Sequence, residues 1–147
     1  MDIKVRPPEA ADRAAWDVLY AGYAEFYRVT QTPAMRDAVW GWLLDSGHGT
    51  KGFLAVSDGR PVGLAHYRGY ARPLSASSGG FLDDLFVAPD ARGTGAAEAL
   101  IAAGAAAGRL RGGSVLRRIT AADTARARAV YDRVAVATPW VTYDITL

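Results

Sequence analysis

Apolar positions change their spacing along the chain, from the period of about two residues typical of strands to the period of three to four typical of helices. Helical spacing covers residues 10 to about 27, a segment that begins after Pro33 and stops before Ser46, residues 93 to about 110, and residues 124–134. Strand-like runs lie between and around these helices: IKVRP, GFLAV, PVGLAHYRGY, FLDDLFV, residues 114–120 and residues 141–147. The predicted order is β-α-α-β-β-β-α-β-α-β, which indicates an α/β (α+β) protein with a mixed sheet and helices packed on it.

Turn-forming residues mark several boundaries between these elements. The letters SDGR at residues 57–60 separate the second and third strands, and an Asp-Gly pair there is typical of a tight hairpin. Small residues at 75–80 predict a flexible loop, and Pro89 ends the fourth strand. The chain shows no repeat and no linker, so residues 1–147 are expected to form a single domain.

Composition excludes several classes of protein. The chain has 147 residues, 50% of them apolar, which suits one ordinary core, and no stretch approaches the ~20 apolar residues of a membrane span. The start is polar and lacks the apolar segment of a signal peptide, so we expect a cytoplasmic protein. Cysteine is absent, which excludes disulfides, thiolate zinc sites and a cysteine nucleophile. The two histidines, His48 and His66, are too few and too far apart in sequence to predict a metal site.

Charge is unevenly distributed along the chain. Residues 1–90 carry nine Lys or Arg against eleven Asp or Glu, whereas residues 91–147 carry eight Arg against four acids. The excess of arginine predicts an anionic ligand bound by the second half, although a solvated arginine-rich surface would show the same excess. Nucleic acid is not expected, because no basic run is interleaved with aromatic residues and no recognition motif is present.

The stretch VAPDARGTGAAEAL, residues 87–100, joins the fourth strand to the third helix. The first backbone amides of a helix have no partner within it, and the helix dipole favours negative charge there. Gly93 and Gly95 let the backbone approach a ligand closely, and Arg92 adds a charge-assisted contact. The loop lacks the Lys-Ser/Thr of a P-loop and the third glycine of a dinucleotide-binding loop. It is a candidate diphosphate site, although the same residues also suit an ordinary helix cap.

The residues around this loop resemble the GNAT superfamily of N-acetyltransferases over nearly the whole chain. V-x-P-x-x-R-G-x-G-x-A at residues 87–97 contains R-x-x-G-x-A, the acyl-CoA-binding signature of that superfamily. DLFV at residues 84–87 is similar to the strand that precedes the signature. T-x-x-x-T-x-x-A-R-x-V-Y at residues 120–131 resembles the second signature, with Thr124 where asparagine is usual. The opening, VRPPEAADRAAWDVLYAGYAEFY, is similar to the branch of fungal histone and polyamine acetyltransferases.

The resemblance implies a GNAT-like fold and its cofactor. That fold has a mixed, mostly antiparallel sheet with helices on both faces, and its fourth and fifth strands splay apart. Acetyl-CoA is the implied co-substrate, and no metal is implied. The implied contacts are the backbone of Leu85, Phe86 and Val87 for the pantetheine arm, and, for the diphosphate, Arg92, Gly93, Thr94, Gly95, Ala96 and Ala97. Thr124 would also meet the cofactor, with a hydroxyl in place of the usual amide.

The implied reaction, direct acetyl transfer to an amine, needs a base, an oxyanion donor and an acid. Asp83 and Asp84 interrupt an apolar strand and should point to opposite faces, so one is expected to face the substrate. The resemblance favours Asp83 as the base, with Asp84 as its rival, and a backbone amide near Leu85 as the oxyanion donor. It implies that Tyr131 protonates the departing thiolate; a core aromatic is the alternative role for this residue.

The acceptor is the least defined part of the prediction. The acidic first half favours a cationic amine, either a polyamine-like small molecule or a lysine side chain; a protein N-terminus or an amino acid is the second choice. A non-catalytic acyl-CoA-binding regulatory module is the alternative from another class, and a nucleotide-binding regulator is a more distant one. His66 is expected to be a hydrogen-bonded core residue. The sequence does not fix the oligomeric state, and a homodimer is one possibility because members of the superfamily are often dimers.

Overall fold

The computed structural model describes residues 2–147, which form one five-stranded sheet with helices on both faces. Short 3-10 turns precede some of the elements. The strands and helices in chain order are β1 Ile3–Arg6, α1 Arg13–Phe26, α2 Pro33–Leu44, β2 Thr50–Ser57, β3 Arg60–Arg72, β4 Ser77–Val87, α3 Ala96–Leu110, β5 Leu116–Arg118 and α4 Ala125–Val134. This arrangement confirms the predicted mixed α/β fold.

The sheet follows the chain order β1-β2-β3-β4-β5. The first four strands pair antiparallel with their neighbours, and β5 runs parallel to β4. The predicted hairpin between β2 and β3 is confirmed: Asp58 and Gly59 have φ of 50° and 77°, the left-handed values that a type I′ turn requires at both central residues. The sheet is therefore mostly antiparallel, as the resemblance implied.

Each face of the sheet carries its own core. The face toward α3 packs around Ala65, Leu82 and Leu100, which are almost fully buried. On the other face α1 and α2 supply Trp16 and Trp40, and these two indole rings lie 4.9 Å apart between their centroids. The sheet is thus held between helices on both sides, and only its ends and edges remain available for a ligand.

The strands β4 and β5 separate after a short paired region. They pair at Gly80↔Leu116 through Leu82↔Arg118, and β4 then continues for five residues with no partner on that side among residues 2–147. The register of β4 against β3 also shifts here, because Asp84 lies opposite His66 while Leu82 lies opposite Tyr67. Asp83 is therefore the extra residue of a β-bulge, a feature often found beside active sites.

Several sequence-based boundaries were wrong. The predicted flexible loop at residues 75–80 is mostly strand, since β4 already begins at Ser77. The third helix begins at Ala96 rather than residue 93, because Gly93 and Gly95 have φ of 79° and 86°, which no α-helix accommodates. The predicted closing strand at residues 141–147 is not a strand in the structure: these residues are exposed and pair with no strand among residues 2–147.

Candidate active site

A cavity of about 660 Å³ opens where β4 and β5 separate. Its walls are the free end of β4, the loop before α3, the first turn of α3, and one side of α4. The predicted site residues that line it are Leu85, Phe86, Val87, Arg92, Gly93, Gly95, Ala96, Ala97, Thr124 and Tyr131. Residues far apart in sequence are thus gathered around one space large enough for an elongated ligand.

The loop of residues 92–97, here called the anion loop, presents unpaired backbone amides to this cavity. The amides of residues 93–97 donate no hydrogen bond within the described chain, residues 2–147. The Thr94 hydroxyl donates to the carbonyl oxygen of Ala91 at 2.6 Å, so Thr94 shapes the turn rather than lining the cavity. Because the loop leads into the fifteen-residue helix α3, the amides lie at the positive end of its dipole.

Arginine side chains make this end of the cavity positive. The guanidinium of Arg92 lies 5.8 Å from the centroid of the Phe26 ring and takes part in no ion pair within the part of the chain that the structure describes. Arg126 and Arg133 also line the cavity, and among residues 2–147 only Arg133 of the two forms an ion pair, with Glu98. Positive side chains and free amides together favour a ligand with more than one negative charge.

The cavity reaches Tyr131, whose hydroxyl is held by a half-buried arginine that is not part of the wall. Arg118 Nε donates to the Tyr131 Oη at 3.1 Å. The oxygen thereby accepts a hydrogen bond, which leaves the phenolic proton free to be donated elsewhere. Burial acts to lower the pKa of Arg118, but its contacts with Tyr131 and Tyr23 raise that pKa overall, so this arginine stays charged.

Asp84 belongs to a buried polar network on the α1 side of the sheet. Its Oδ2 accepts hydrogen bonds from Tyr20 Oη and His66 Nδ1, both at 2.8 Å, and His66 Nε2 accepts from Trp16 Nε1 at 3.0 Å. Burial acts to raise the pKa of Asp84, but the hydrogen bonds from His66 and Tyr20 and the nearby positive charge of Arg118 lower it overall. Asp84 is therefore a carboxylate that connects α1 to β3.

Asp83 occupies the bulge and has a looser environment. Its carboxylate accepts from Arg68 Nε at 3.1 Å and 3.3 Å, and 35% of the side chain is exposed. Burial raises the pKa of Asp83 above the ordinary aspartate value, and Arg68 only partly offsets this shift. Asp83 thus combines a raised pKa with the greater exposure, 35% of its side chain against 20% for Asp84, whose pKa is lowered.

The model of the acetyltransferase (GNAT) family matches residues 16–135, most of the chain. The chain belongs to this family. It is therefore an acetyltransferase, and acetyl-CoA is the co-substrate that the family uses. A search of curated proteins finds no match to the chain.

Solved structures show how widely this acetyltransferase fold recurs. The ribosomal-protein-alanine N-acetyltransferase of Brucella melitensis biovar Abortus 2308 is 24% identical, with a TM-score of 0.81 and 99% of both chains covered. The aminoglycoside N-acetyltransferase AAC(6')-Iy, in complex with a bisubstrate analogue of CoA, is 21% identical, with a TM-score of 0.86 and coverage of 100% and 99%. An aminoglycoside acetyltransferase from an uncultured soil metagenomic sample is 15% identical, with a TM-score of 0.81 and coverage of 99% and 96%. At these identities the similarity shows the fold alone.

Among the predicted site residues of the acetyltransferase, those outside the cavity wall are Asp83, Asp84 and Thr94. Thr124 lies on the wall as the residue before α4, and its amide donates to the carbonyl oxygen of Ala121 at 3.1 Å. Its hydroxyl makes no capping bond with that helix. Thr124 is therefore available to a ligand through its side chain.

Arg118 was not predicted from the sequence of this acetyltransferase. A signal was present, since the letters LRR place two consecutive arginines in a short strand whose alternate residues face opposite sides. One of the two had to point inward, against α1 or α4, where an arginine needs partners.

No helix among residues 2–147 is both long and apolar enough to cross a membrane, and the same residues contain no group of three or more potential metal ligands.

Proposed function

We propose that residues 1–147 form one N-acetyltransferase domain that moves the acetyl group of acetyl-CoA directly to a primary amine. The observation that carries this proposal is the cavity itself. It has the anion loop on one wall and the Tyr131 hydroxyl on another, with the free end of β4 as part of the lining. These features suit the diphosphate, the thioester sulfur and the pantetheine arm of one molecule.

The anion loop is proposed to bind the diphosphate. Arg92 would donate a forked, charge-assisted contact, and the amides of residues 93–97 would donate the remaining hydrogen bonds. The unpaired edge of β4 at Leu85, Phe86 and Val87 would offer backbone groups to the amide bonds of the pantetheine arm, much as an added strand would. The cofactor would thus replace the strand pairing that β5 does not provide.

The reaction is proposed to need three groups of this chain. Asp83 would accept a proton from the acceptor amine through water, because its raised pKa and partial exposure suit a general base. A backbone amide near Leu85 would stabilise negative charge on the carbonyl oxygen. As the carbon–sulfur bond breaks, Tyr131 would give its proton to the departing thiolate.

Asparagine at the two aspartates should separate a catalytic role from a structural one. We expect Asp83→Asn to lower kcat by about tenfold or more and to leave the melting temperature close to wild type. Asp84→Asn should instead lower the free energy of unfolding by about 1.5–3 kcal/mol at neutral pH, because charge-assisted hydrogen bonds from Tyr20 and His66 are weakened. Steady-state kinetics and thermal melts of both variants measure the two effects.

The pH dependence gives a further check on Asp84. A carboxyl whose pKa is lower in the folded than in the unfolded state stabilises the fold above its unfolded pKa, and this contribution disappears as pH falls through the folded pKa. The stability of wild type and of Asp84→Asn should therefore converge below about pH 4. A difference in the free energy of unfolding between the two proteins that stays constant down to pH 2 would contradict this account of Asp84.

For Asp83, an unchanged kcat in Asp83→Asn would show that this residue is not the base.

The acceptor is proposed to be a polyamine-like small molecule or a lysine side chain. Tyr20 and Tyr23 on α1 and Tyr27 directly after it form a row of rings that begins at Asp84 with Tyr20, and Tyr27 also lines the cavity. Aromatic faces beside a carboxylate suit a cationic amine. The acidic first half of the chain and the resemblance to the polyamine branch support the same class of acceptor.

Thiol release from acetyl-CoA tests the function with a panel of amines. The panel should contain spermidine, a lysine-containing peptide blocked at its N-terminus, a peptide with a free N-terminus, and an aminoglycoside. The free N-terminus is the second choice of acceptor from the sequence, and the aminoglycoside is the class of acceptor named for one structural relative. We expect release above the hydrolysis rate with spermidine or the lysine peptide. Activity confined to the free N-terminus or the aminoglycoside would change the acceptor, and tight acetyl-CoA binding without release with any amine would contradict the reaction.

We further propose that the protein is a homodimer in which residues 141–147 pair with the open edge of β5 of a second copy. Val141, Tyr143, Ile145 and Leu147 alternate with polar residues, as in a strand with one buried face, yet Tyr143 is 89% exposed. As the last strand of the sheet, β5 has one edge without a partner among residues 2–147. In a symmetric dimer, residues 141–147 of each copy would form hydrogen bonds with the free edge of β5 in the other copy.

The oligomeric state in solution tests this exchange. We expect light scattering to give twice the 15.6 kDa chain mass for the wild type. Ile145→Pro should give the single chain mass, because proline cannot donate to a strand ladder. Ile145→Thr keeps a β-branched residue with its backbone N–H and should remain dimeric. A monomeric wild type, or a dimeric proline variant, would contradict the exchange.

A further inference from the structure

Arg118 connects three elements that meet at the point where β4 and β5 separate. Its Nη1 donates to the carbonyl oxygens of Leu82 and Asp83, on the last paired residue and the bulge of β4. Its Nη2 donates to Tyr23 Oη on α1 at 3.3 Å, and its Nε to Tyr131 Oη on α4 at 3.1 Å. One guanidinium thus fixes the bulge and the phenol of the proposed general acid relative to each other.

The charge of Arg118 has no carboxylate in contact with it. Within residues 2–147 no ion pair includes Arg118, and its hydrogen-bond partners are two carbonyls and two phenols. Removing a charged group from water is costly, and an apolar residue commonly serves a protein interior at least as well. The charges of Asp83 and Asp84 act on Arg118 from a distance, but neither carboxylate forms an ion pair with it, and its Nε donates to the Tyr131 oxygen, where negative charge would arise during the reaction.

We propose that Arg118 is a positioning residue for acetyl transfer that acts through Tyr131. The inference rests on the proposed role of Tyr131 as the general acid. When the amine nitrogen has bonded to the thioester carbon and the carbon–sulfur bond breaks, the phenolic proton passes to sulfur and Tyr131 becomes a phenolate. Arg118 Nε already donates to that oxygen, so the hydrogen bond becomes charge-assisted and strengthens. The phenolate then regains a proton from water, and the arginine remains charged throughout.

A purely structural role is the competing explanation, because the same side chain also braces the bulge. The two roles differ in how Arg118 and Tyr131 combine. An arginine that acts through the phenol has nothing to stabilise once the hydroxyl is gone, whereas a brace for β4 loses its function regardless of residue 131. The interaction between the two substitutions therefore distinguishes them, as in any double-mutant cycle.

The test is a cycle of Arg118→Met, Tyr131→Phe and the double variant, with kcat and the KM for acetyl-CoA measured for each. In the wild-type background we expect Arg118→Met to lower kcat about tenfold to a hundredfold, as for loss of a hydrogen bond to a charged group. In the Tyr131→Phe background the same substitution should change kcat by less than about threefold. The KM for acetyl-CoA should stay within about threefold in all variants.

Two further variants complete the experiment. Arg117→Met removes the same charge from the neighbouring residue of β5, whose guanidinium lies over the Tyr70 ring, and should leave kcat unchanged. Arg118→Lys keeps the charge but can engage fewer partners and should give an intermediate kcat. If Arg118→Met does not fold, the cycle is repeated with Arg118→Lys, and the same criterion applies.

The possible outcomes separate this inference from the proposed function. A wild-type kcat in Tyr131→Phe contradicts the general acid and the role of Arg118 with it. A second outcome is that Tyr131→Phe lowers kcat, but Arg118→Met lowers kcat by the same factor in the wild-type and the Tyr131→Phe backgrounds. This outcome leaves the general acid intact and overturns only the inference about Arg118. Wild-type kcat in Arg118→Met also overturns it.

Discussion

Tyr131→Phe should leave a folded protein that binds acetyl-CoA and turns over about a hundredfold or more slowly. The substitution keeps the ring and its packing on the wall of the cavity and deletes only the hydroxyl that Arg118 holds. A general acid typically contributes about 10²–10⁴-fold to a rate, and its loss appears mainly in kcat. Steady-state kinetics on an accepted amine, with calorimetric binding of acetyl-CoA, measure both quantities.

A change of leaving group and a matched control sharpen this result. The decrease in kcat caused by Tyr131→Phe should be smaller with an acetyl donor whose thiol is more acidic, because that thiolate leaves without needing a proton. Tyr143→Phe makes the same chemical change at an exposed residue outside the cavity and should have wild-type kcat. If Tyr131→Phe keeps the wild-type rate, the tyrosine is a packing residue, and water or another side chain protonates the sulfur.

Gly95→Asp should weaken the binding of CoA at least about a hundredfold. An added Cβ at Gly95 meets no atom of residues 2–147 within 4 Å, so the new carboxylate would extend into open space beside the cavity that the residue lines. There it would repel the diphosphate and block the approach to the anion loop, at a position where each lost charge-assisted bond costs about 1.5–3 kcal/mol. Isothermal calorimetry with CoA measures the loss.

Gly112→Asp is the matched control for backbone strain. Gly112 has φ of 73°, close to the 86° of Gly95, and an added Cβ there also meets nothing within 4 Å in the described part of the chain, but the residue does not line the cavity. The melting temperatures of the two variants should fall by similar amounts, and only Gly95→Asp should lose affinity for CoA. Folded Gly95→Asp with wild-type affinity for CoA would place the diphosphate elsewhere.

Arg92→Ala should weaken CoA binding by about 1.5–3 kcal/mol, because the charge-assisted contact with the diphosphate is lost.

The position of Asp83 could not be predicted from alternation alone. Two consecutive strand residues normally point to opposite faces, and this alternation predicted that Asp83 and Asp84 lie on opposite sides of the sheet. The β-bulge makes Asp83 an extra residue against β3, so that Leu82 and Leu85 both pack toward α3 with two aspartates between them. Which carboxylate is buried depends on the partners Tyr20 and His66, which lie 64 and 18 residues away in sequence.

The amino-acid sequence alone determined the order of helices and strands through β5 and α4, the hairpin at Asp58-Gly59, and the residues of the anion loop. These features rest on local causes: hydrophobic periodicity, the positive φ that glycine permits, and amides left free at the start of a helix. The family resemblance depended on the same short-range patterns, which is why it could be recognised from residues 87–97 and 120–131.

Only the tertiary structure decided the residue at which β4 separates from β5, the partners of Asp83 and Asp84, and the inward position of Arg118. Each depends on contacts between residues distant in sequence, and Arg118 alone joins α1, β4 and α4. The prediction of a closing strand at residues 141–147 was wrong for the same physical reason. Alternation at residues 141–147 specifies a strand with one apolar face, but a strand exists only where another backbone accepts its hydrogen bonds, and no such backbone pairs with it within residues 2–147.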